Sequence, residues 1–201
     1  MGLVLHGVNS SRAIRCLWML EELGLAFQHV AVDFRGATRS PEFLVLNPNG
    51  RIPVLEDEGL VLCESLAINL HLARRAGGPL SAHGAAEDAR CLMWSFWAVN
   101  EIERDCVAIL LHRQALPPER RKADVARQAE GRLRAPLAVL EAHLQAHEHL
   151  AAPRFTVADL NVAAILAWSL PAGDLLAPYP VTTAWLKVAL RRPAYTRALA
   201  R

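Results

Sequence analysis

The chain has 201 residues, enough for one large domain or two small ones, each with its own core. Apolar residues make up 53% and charged residues 21%, a balance that excludes a disordered chain. A net charge of +2 without a dense Lys/Arg block, and no apolar run of the ~18 residues a membrane helix needs, leave neither nucleic acid nor membrane as an expected partner. In chain order, Met1 to His6 is short and apolar, without a basic leader or cleavage site, and reads as a first strand, not a signal peptide. A polar turn from Gly7 to Ser10 follows. Helical periodicity then begins near Ser11 and sets Ile14, Leu17, Trp18, Leu20 and Leu23 on one broad face, with Gly24 as its stop. Phe27 to Val32 is a second strand, which completes a β-α-β unit. Ser40 and Pro41 open a short helix as cap and first residue. Arg51 to Leu55 and Leu60 to Leu62 are short strands joined by the acidic turn Glu56 to Gly59, and Glu64 to Ala76 is helical. This first stretch, residues 1–76, is an α/β domain.

From Gly77 to Gly84 the composition turns to Gly, Pro, Ser and Ala, a linker. Residues 85–201 read as an all-helical domain. Ala85 to about Ala115 is one long helix, Pro117-Pro118 breaks the chain, and Glu119 to about His147 is a second long helix with a kink expected at Pro136. The charge run Glu119 to Lys122 reads as its solvated start. Thr156 opens a third helix, Pro178 and Pro180 bracket a loop, and Pro193 opens the last turn. The four cysteines form no C-x-x-C pair and no Cys/His group has metal spacing, so no metal is expected and a reduced, cytoplasmic protein is the simplest reading.

Four local features bear on chemistry. Asn9-Ser10-Ser11-Arg12 stands directly before a helix, where a Ser hydroxyl serves as a cap or holds an anion or thiolate at the positive helix end. In Asn47 to Leu55, Pro53 cannot donate to a sheet ladder and must lie at an edge; a cis bond there would expose the Ile52 backbone to a peptide ligand, and a plain Pro-terminated loop is the alternative. At Cys63-Glu64-Ser65 a strand ends and a helix begins, so Ser65 suits a carboxylate and Glu64 an ammonium group, the two ends of an amino-acid moiety. Thr156 and Asp159 have capping-box spacing and read as structural.

Together these segments resemble the cytosolic glutathione transferases over essentially the whole chain. The opening Ser10 to Leu25 is similar to bacterial, serine-type members with a theta/phi-like start, Pro41-Glu42-Phe43-Leu44 through Arg51-Ile52-Pro53-Val54-Leu55 to the family's middle segment, Glu64-Ser65 to its γ-glutamyl site, and Phe155 to Leu160 to its second-domain capping motif. The resemblance implies a thioredoxin-like α/β N-terminal domain that binds glutathione and an all-α C-terminal domain that walls the electrophile pocket. It implies that a hydroxyl, Ser11 or else Ser10, stabilises the glutathione thiolate while glutathione serves as co-substrate. Arg39, Arg51, Ile52, Pro53, Glu64 and Ser65 would bind glutathione. Trp94, Trp97, Glu101 and Trp168 would line the pocket for a small hydrophobic electrophile, aromatic bulk that a helical core also requires. A homodimer is implied as well. Related activities, as peroxidase, dehalogenase or isomerase, and a non-catalytic binding or regulatory role stay open. The zeta-like isomerases carry Cys where this chain has Arg12.

Overall fold

The computed structural model describes residues 2–201; Met1, where the sequence reading starts its first strand and first domain, lies outside the described residues. In chain order the elements are β1 (Leu3–His6), α1 (Ala13–Leu23), β2 (Phe27–Val30), α2 (Pro41–Leu46), β3 (Val54–Asp57), β4 (Leu60–Cys63), α3 (Ser65–Ala76), α4 (Ala85–Trp97), α5 (Arg104–Leu110), α6 (Ala123–Ala146), α7 (Val157–Leu166), α8 (Pro180–Leu190) and α9 (Pro193–Leu199). Two compact units result. One runs up to Ser81 and takes in Arg192–Arg201; the other is Ala82–Arg191. The expected 85–201 domain thus gives its last ten residues to the first unit.

The first unit is thioredoxin-like. Its mixed sheet has the order β2-β1-β3-β4, with β1 parallel to β2 and antiparallel to β3, and β3 antiparallel to β4. The β-α-β-α-β-β-α order is the expected one, with shifted strand ends. β2 stops at Val30, where the Val32 N–H turns back to the Val30 carbonyl (2.9 Å). β3 starts at Val54, since Pro53 has no N–H to give, and continues through Asp57. Its turn is therefore only Glu58 and Gly59, both with positive φ (50° and 95°), as a tight two-residue hairpin demands. In α1 every residue from Ala13 to Leu20 is buried, and Gly24 ends the helix at φ 61°. A helix apolar all round must be covered all round. β1 and α3 cover part of α1, and α9 covers more of it.

The second unit is all helix. Ala85 to Ala115 forms the expected continuous rod, with π-helical turns at Ala98–Glu103 and Leu111–Ala115. The next helix starts four residues later than expected: Pro118–Arg120 is a 3-10 turn, and α6 begins at Ala123. α6 then passes through Pro136 to Ala146 without a break in the helix. All ten residues of α7 are buried, making it the centre of this unit. Thr156 and Asp159 cap it as the spacing predicts, the Thr156 N–H donating to Asp159 Oδ2 at 2.9 Å. Among the described residues no helix is long and apolar enough to cross a membrane.

Candidate functional site

The register of the first unit's sheet brings three separate segments to one end. His6 pairs with Val54, and Val54 with Cys63, so these three residues form one row across the strands. Gly7–Ser11 follows His6, Ile52–Pro53 precedes Val54, and Glu64–Ser65 follows Cys63. All three segments therefore leave the sheet on the same side.

Gly7 lets the first two segments close up. Its φ is 137°, and a Cβ there would stand 2.7 Å from Ala13 Cβ and 3.2 Å from Ile52 Cβ, so the start of α1 and Ile52 meet over a residue without a side chain. Val8 to Ser11 is a hydrogen-bonded turn, closed by the Ser11 N–H on the Val8 carbonyl (3.1 Å). The Ser11 hydroxyl donates to that carbonyl as well (2.7 Å) and accepts from the Ala13 N–H (3.1 Å). The Ser11 hydroxyl thus satisfies the first N–H of α1, while Ser10 is exposed at the tip of the turn.

Ile52 lies two residues before the first paired residue of β3, so the ladder does not use its main chain, and the Ile52–Pro53 peptide is cis. The Arg51 carbonyl accepts from buried Asn47 Nδ2 (2.6 Å), and Asn47 Oδ1 takes the Asn49 N–H (3.1 Å). Arg39 reaches the same turn: a Cβ on Gly50 would be 2.8 Å from Arg39 Nη1. Arg39 and Arg51 are both exposed.

Ser65 is the first residue of α3 and is buried, whereas Glu64 is exposed at φ 69° and ψ 110°, a left-handed backbone strained for a residue with a Cβ. The Ser65 hydroxyl accepts from Arg15 Nη1 at 3.2 Å, and Arg15 is only 1% exposed. Arg15 lies four residues after Ser11, one turn along the same helix face. From sequence alone Arg15 has no task; the available signal is a guanidinium set among Ala13, Ile14, Cys16, Leu17 and Trp18. Cys16 beside it is core: burial pushes its thiol far above the ordinary range, against a smaller downward pull from Arg15. Burial, then the Glu64 carboxylate, also raises the thiol of Cys63. Two helix N-termini, each with a serine hydroxyl, therefore share one end of the sheet, an arrangement suited to anionic groups.

The Glutathione S-transferase N-terminal domain model matches residues 2–74, and the Glutathione S-transferase C-terminal domain model matches residues 104–193. This chain belongs to the glutathione S-transferase family. It is 34% identical to Glutathione S-transferase 3 of Zea mays over 98% of its own length and 93% of that relative. Among solved structures, a glutathione S-transferase-I bound with lactoylglutathione superposes with a TM-score of 0.90 at 29% identity, covering 100% of this chain and 99% of the other. A theta class glutathione S-transferase of Xanthomonas axonopodis pv. citri, with glutathione bound, superposes at 0.87 with 27% identity over 100% and 99%.

The helical unit of this transferase holds the four residues expected to meet an electrophile. Trp94 is 4% exposed and packs edge-on against Trp97 (ring centroids 5.1 Å) and His143 (4.8 Å), so its bulk fills the core. Trp97 is half-buried, Glu101 is exposed in the π-helical turn after α4, and Trp168 is half-buried in Ala167–Leu176. Among the described residues no cluster of His, Cys, Asp and Glu is arranged to hold a metal.

Proposed function

We propose that this enzyme conjugates reduced glutathione to small hydrophobic electrophiles, with the Ser11 hydroxyl donating a hydrogen bond to the glutathione sulfur and holding it as thiolate. The observation that carries this reading is Ser11 itself: a hydroxyl at the N-terminus of α1, polarised by the Ala13 N–H, at the end of the sheet where Ile52 and Ser65 also emerge. On binding, the hydroxyl exchanges the Val8 carbonyl for the sulfur by rotating about one bond. A free thiol has a pKa of about 8.5, and lowering it by two units takes about 2.7 kcal/mol. A hydrogen bond to a charged acceptor supplies about 1.5–3 kcal/mol and a helix N-terminus about 0.3–1 kcal/mol, so the two together suffice. The thiol proton passes to solvent. The sulfur lone pair then forms the new C–S bond, and the electrophile's leaving group departs with its electron pair.

In this reading residues 1–76 hold the peptide: Ile52, before Pro53, pairs with the cysteinyl main chain, Arg51 and Arg39 face the glycyl carboxylate, and Glu64 and Ser65 take the γ-glutamyl end. Residues 85–201 supply Trp97, Glu101 and Trp168 to the electrophile, with Trp94 packed behind Trp97. The enzyme works in the cytoplasm, in keeping with four cysteines that form no disulfide among the described residues, and as a homodimer. Met93, Phe96 and Val99 support the dimer: they are 53%, 63% and 42% exposed at three-residue steps along one helical rod. Sedimentation equilibrium reads the dimer directly, and a monomer at all concentrations removes it.

Calorimetric titration with reduced glutathione, followed by conjugation assays on Ser11→Ala, tests the mechanism. Micromolar-to-millimolar binding and a conjugation rate that drops sharply in the variant at nearly unchanged glutathione affinity are expected. Equal rates would remove Ser11 from the chemistry, and absent binding in folded protein would favour a non-catalytic role.

A further inference from the structure

The turn that carries Ser11 is tied to the far end of the chain. Asn9 is a central residue of the Val8–Ser11 turn, and its Nδ2 donates to the carbonyls of Leu199 (2.9 Å) and Arg201 (3.3 Å). These lie at the C-terminal end of α9, where helix carbonyls lack intrahelical partners. One amide group thus caps α9 and at the same time fixes the tip of the serine turn.

The anchor it grips is itself well fastened. Arg192 makes a two-pronged contact with Glu22 (Nε to Oε1 2.6 Å, Nη2 to Oε2 2.8 Å), and Glu22 also accepts from Trp18 Nε1 (2.9 Å). Arg197 donates to the Glu21 carboxylate (2.8 Å) and carbonyl (3.0 Å), and Arg201 Nε donates to the same carboxylate (2.9 Å). Tyr195 packs on Trp18 at 4.7 Å between ring centroids, Ala194 and Ala198 are buried, and the Arg201 guanidinium stands 4.7 Å over the Phe27 ring. The segment Arg192–Arg201 is therefore bound along α1, and α1 is the helix whose first N–H, that of Ala13, donates to the Ser11 hydroxyl.

We propose that Asn9 is a positioning residue for Ser11, holding the serine turn against the C-terminal segment so that the hydroxyl keeps its aim at the glutathione sulfur. This rests on the reading of Ser11 as the thiolate donor. A β-turn with an unrestrained tip samples more than one orientation of its last residue, and a hydrogen bond to a thiolate weakens steeply with misalignment. The Asn9 amide removes that freedom at the tip, while Val8 and Ala13 fix the hydroxyl locally.

The test follows the ultraviolet absorbance of the glutathione thiolate bound to the purified enzyme as a function of pH. Parent, Asn9→Ala, Asn9→Leu, Glu21→Ala and Ser11→Ala proteins are compared. Asn9→Leu keeps the approximate size of the side chain and removes its N–H donors without adding a charge beside the thiolate. Both Asn9 variants should raise the thiolate midpoint by about half a pH unit, roughly a threefold loss of thiolate below the midpoint, with glutathione affinity within about twofold of the parent. Ser11→Ala should raise it further, and Glu21→Ala, which loosens the anchor from the opposite side, should shift it the same way. A purely structural cap would lower the melting temperature and leave the midpoint in place. That outcome in both Asn9 variants, with Ser11→Ala still shifting the midpoint, overturns the inference and spares the role of Ser11. A midpoint unmoved by Ser11→Ala overturns both.

Discussion

Ser65 and Ser11 both sit at helix starts, yet their hydroxyls face different tasks. Ser65 already accepts a hydrogen bond from Arg15, so its own proton is left to donate outward, where a γ-glutamyl carboxylate would sit. Ser65→Ala should therefore raise the glutathione dissociation constant about tenfold, the loss of one hydrogen bond to a charged group, while kcat at saturating glutathione holds. Calorimetry alongside saturation kinetics reads both numbers, and an unchanged dissociation constant would take Ser65 out of the site. These serines were legible because capping is a local signal: a hydroxyl before an apolar periodic run marks a helix start whatever surrounds it. Arg15 was not legible, because its partner lies 50 residues away. A buried guanidinium is explained only by groups that the fold brings to it. The same limit applies to Trp94, whose apolar bulk fits core and pocket alike until burial decides between them.

At the scale of elements, helices were easier to read than strands. Periodicity and punctuation placed the end of α1 at Gly24, the start of α2 at Pro41 and the cap of α7 at Thr156. The ends of β2 and β3 moved by two or three residues, since a strand ends where its partner stops pairing, and pairing is not local. The start of α6 moved for a related reason: after Pro117-Pro118 the chain takes a 3-10 turn before helical hydrogen bonding resumes. The α7 cap supports a quantitative expectation. Asp159 is fully buried; its Oδ2 accepts from the N–H and the hydroxyl of Thr156 (2.9 Å each), and its Oδ1 from the Leu150 N–H (3.0 Å) and Trp185 Nε1 (3.3 Å). Asp159→Ala leaves several buried donors without an acceptor. It should destabilise the protein by about 3 kcal/mol and lower Tm by roughly 10 °C, while surviving protein below the transition keeps its kcat. Differential scanning calorimetry and kinetics on one preparation check this; a collapse of kcat at undiminished Tm would assign Asp159 to the chemistry instead.

For the molecule as a whole, composition announced an α/β part followed by a helical part, and both are present. What composition could not announce is that the chain returns. Residues 192–201 read as one more helix after many, because a docking address is written in pairs such as Glu22–Arg192 and Glu21–Arg197, each member ordinary on its own. The first unit is consequently not a continuous stretch of chain. Without Arg192–Arg201, Trp18 loses the Tyr195 ring, and part of an all-round apolar helix faces water. A fragment ending at Ser81 should therefore be less stable than one in which Arg192–Arg201 is joined to it through a flexible linker. Urea titrations of the two fragments, followed by circular dichroism, measure the difference. The linked fragment should unfold cooperatively and at higher urea. Substituting Glu21 and Glu22 together by alanine in it should move the midpoint back toward that of the short fragment, because those two carboxylates hold Arg192, Arg197 and Arg201. Equal midpoints for the two fragments would mean that α1 needs no cover from α9, and that the last ten residues lie on the first unit without stabilising it.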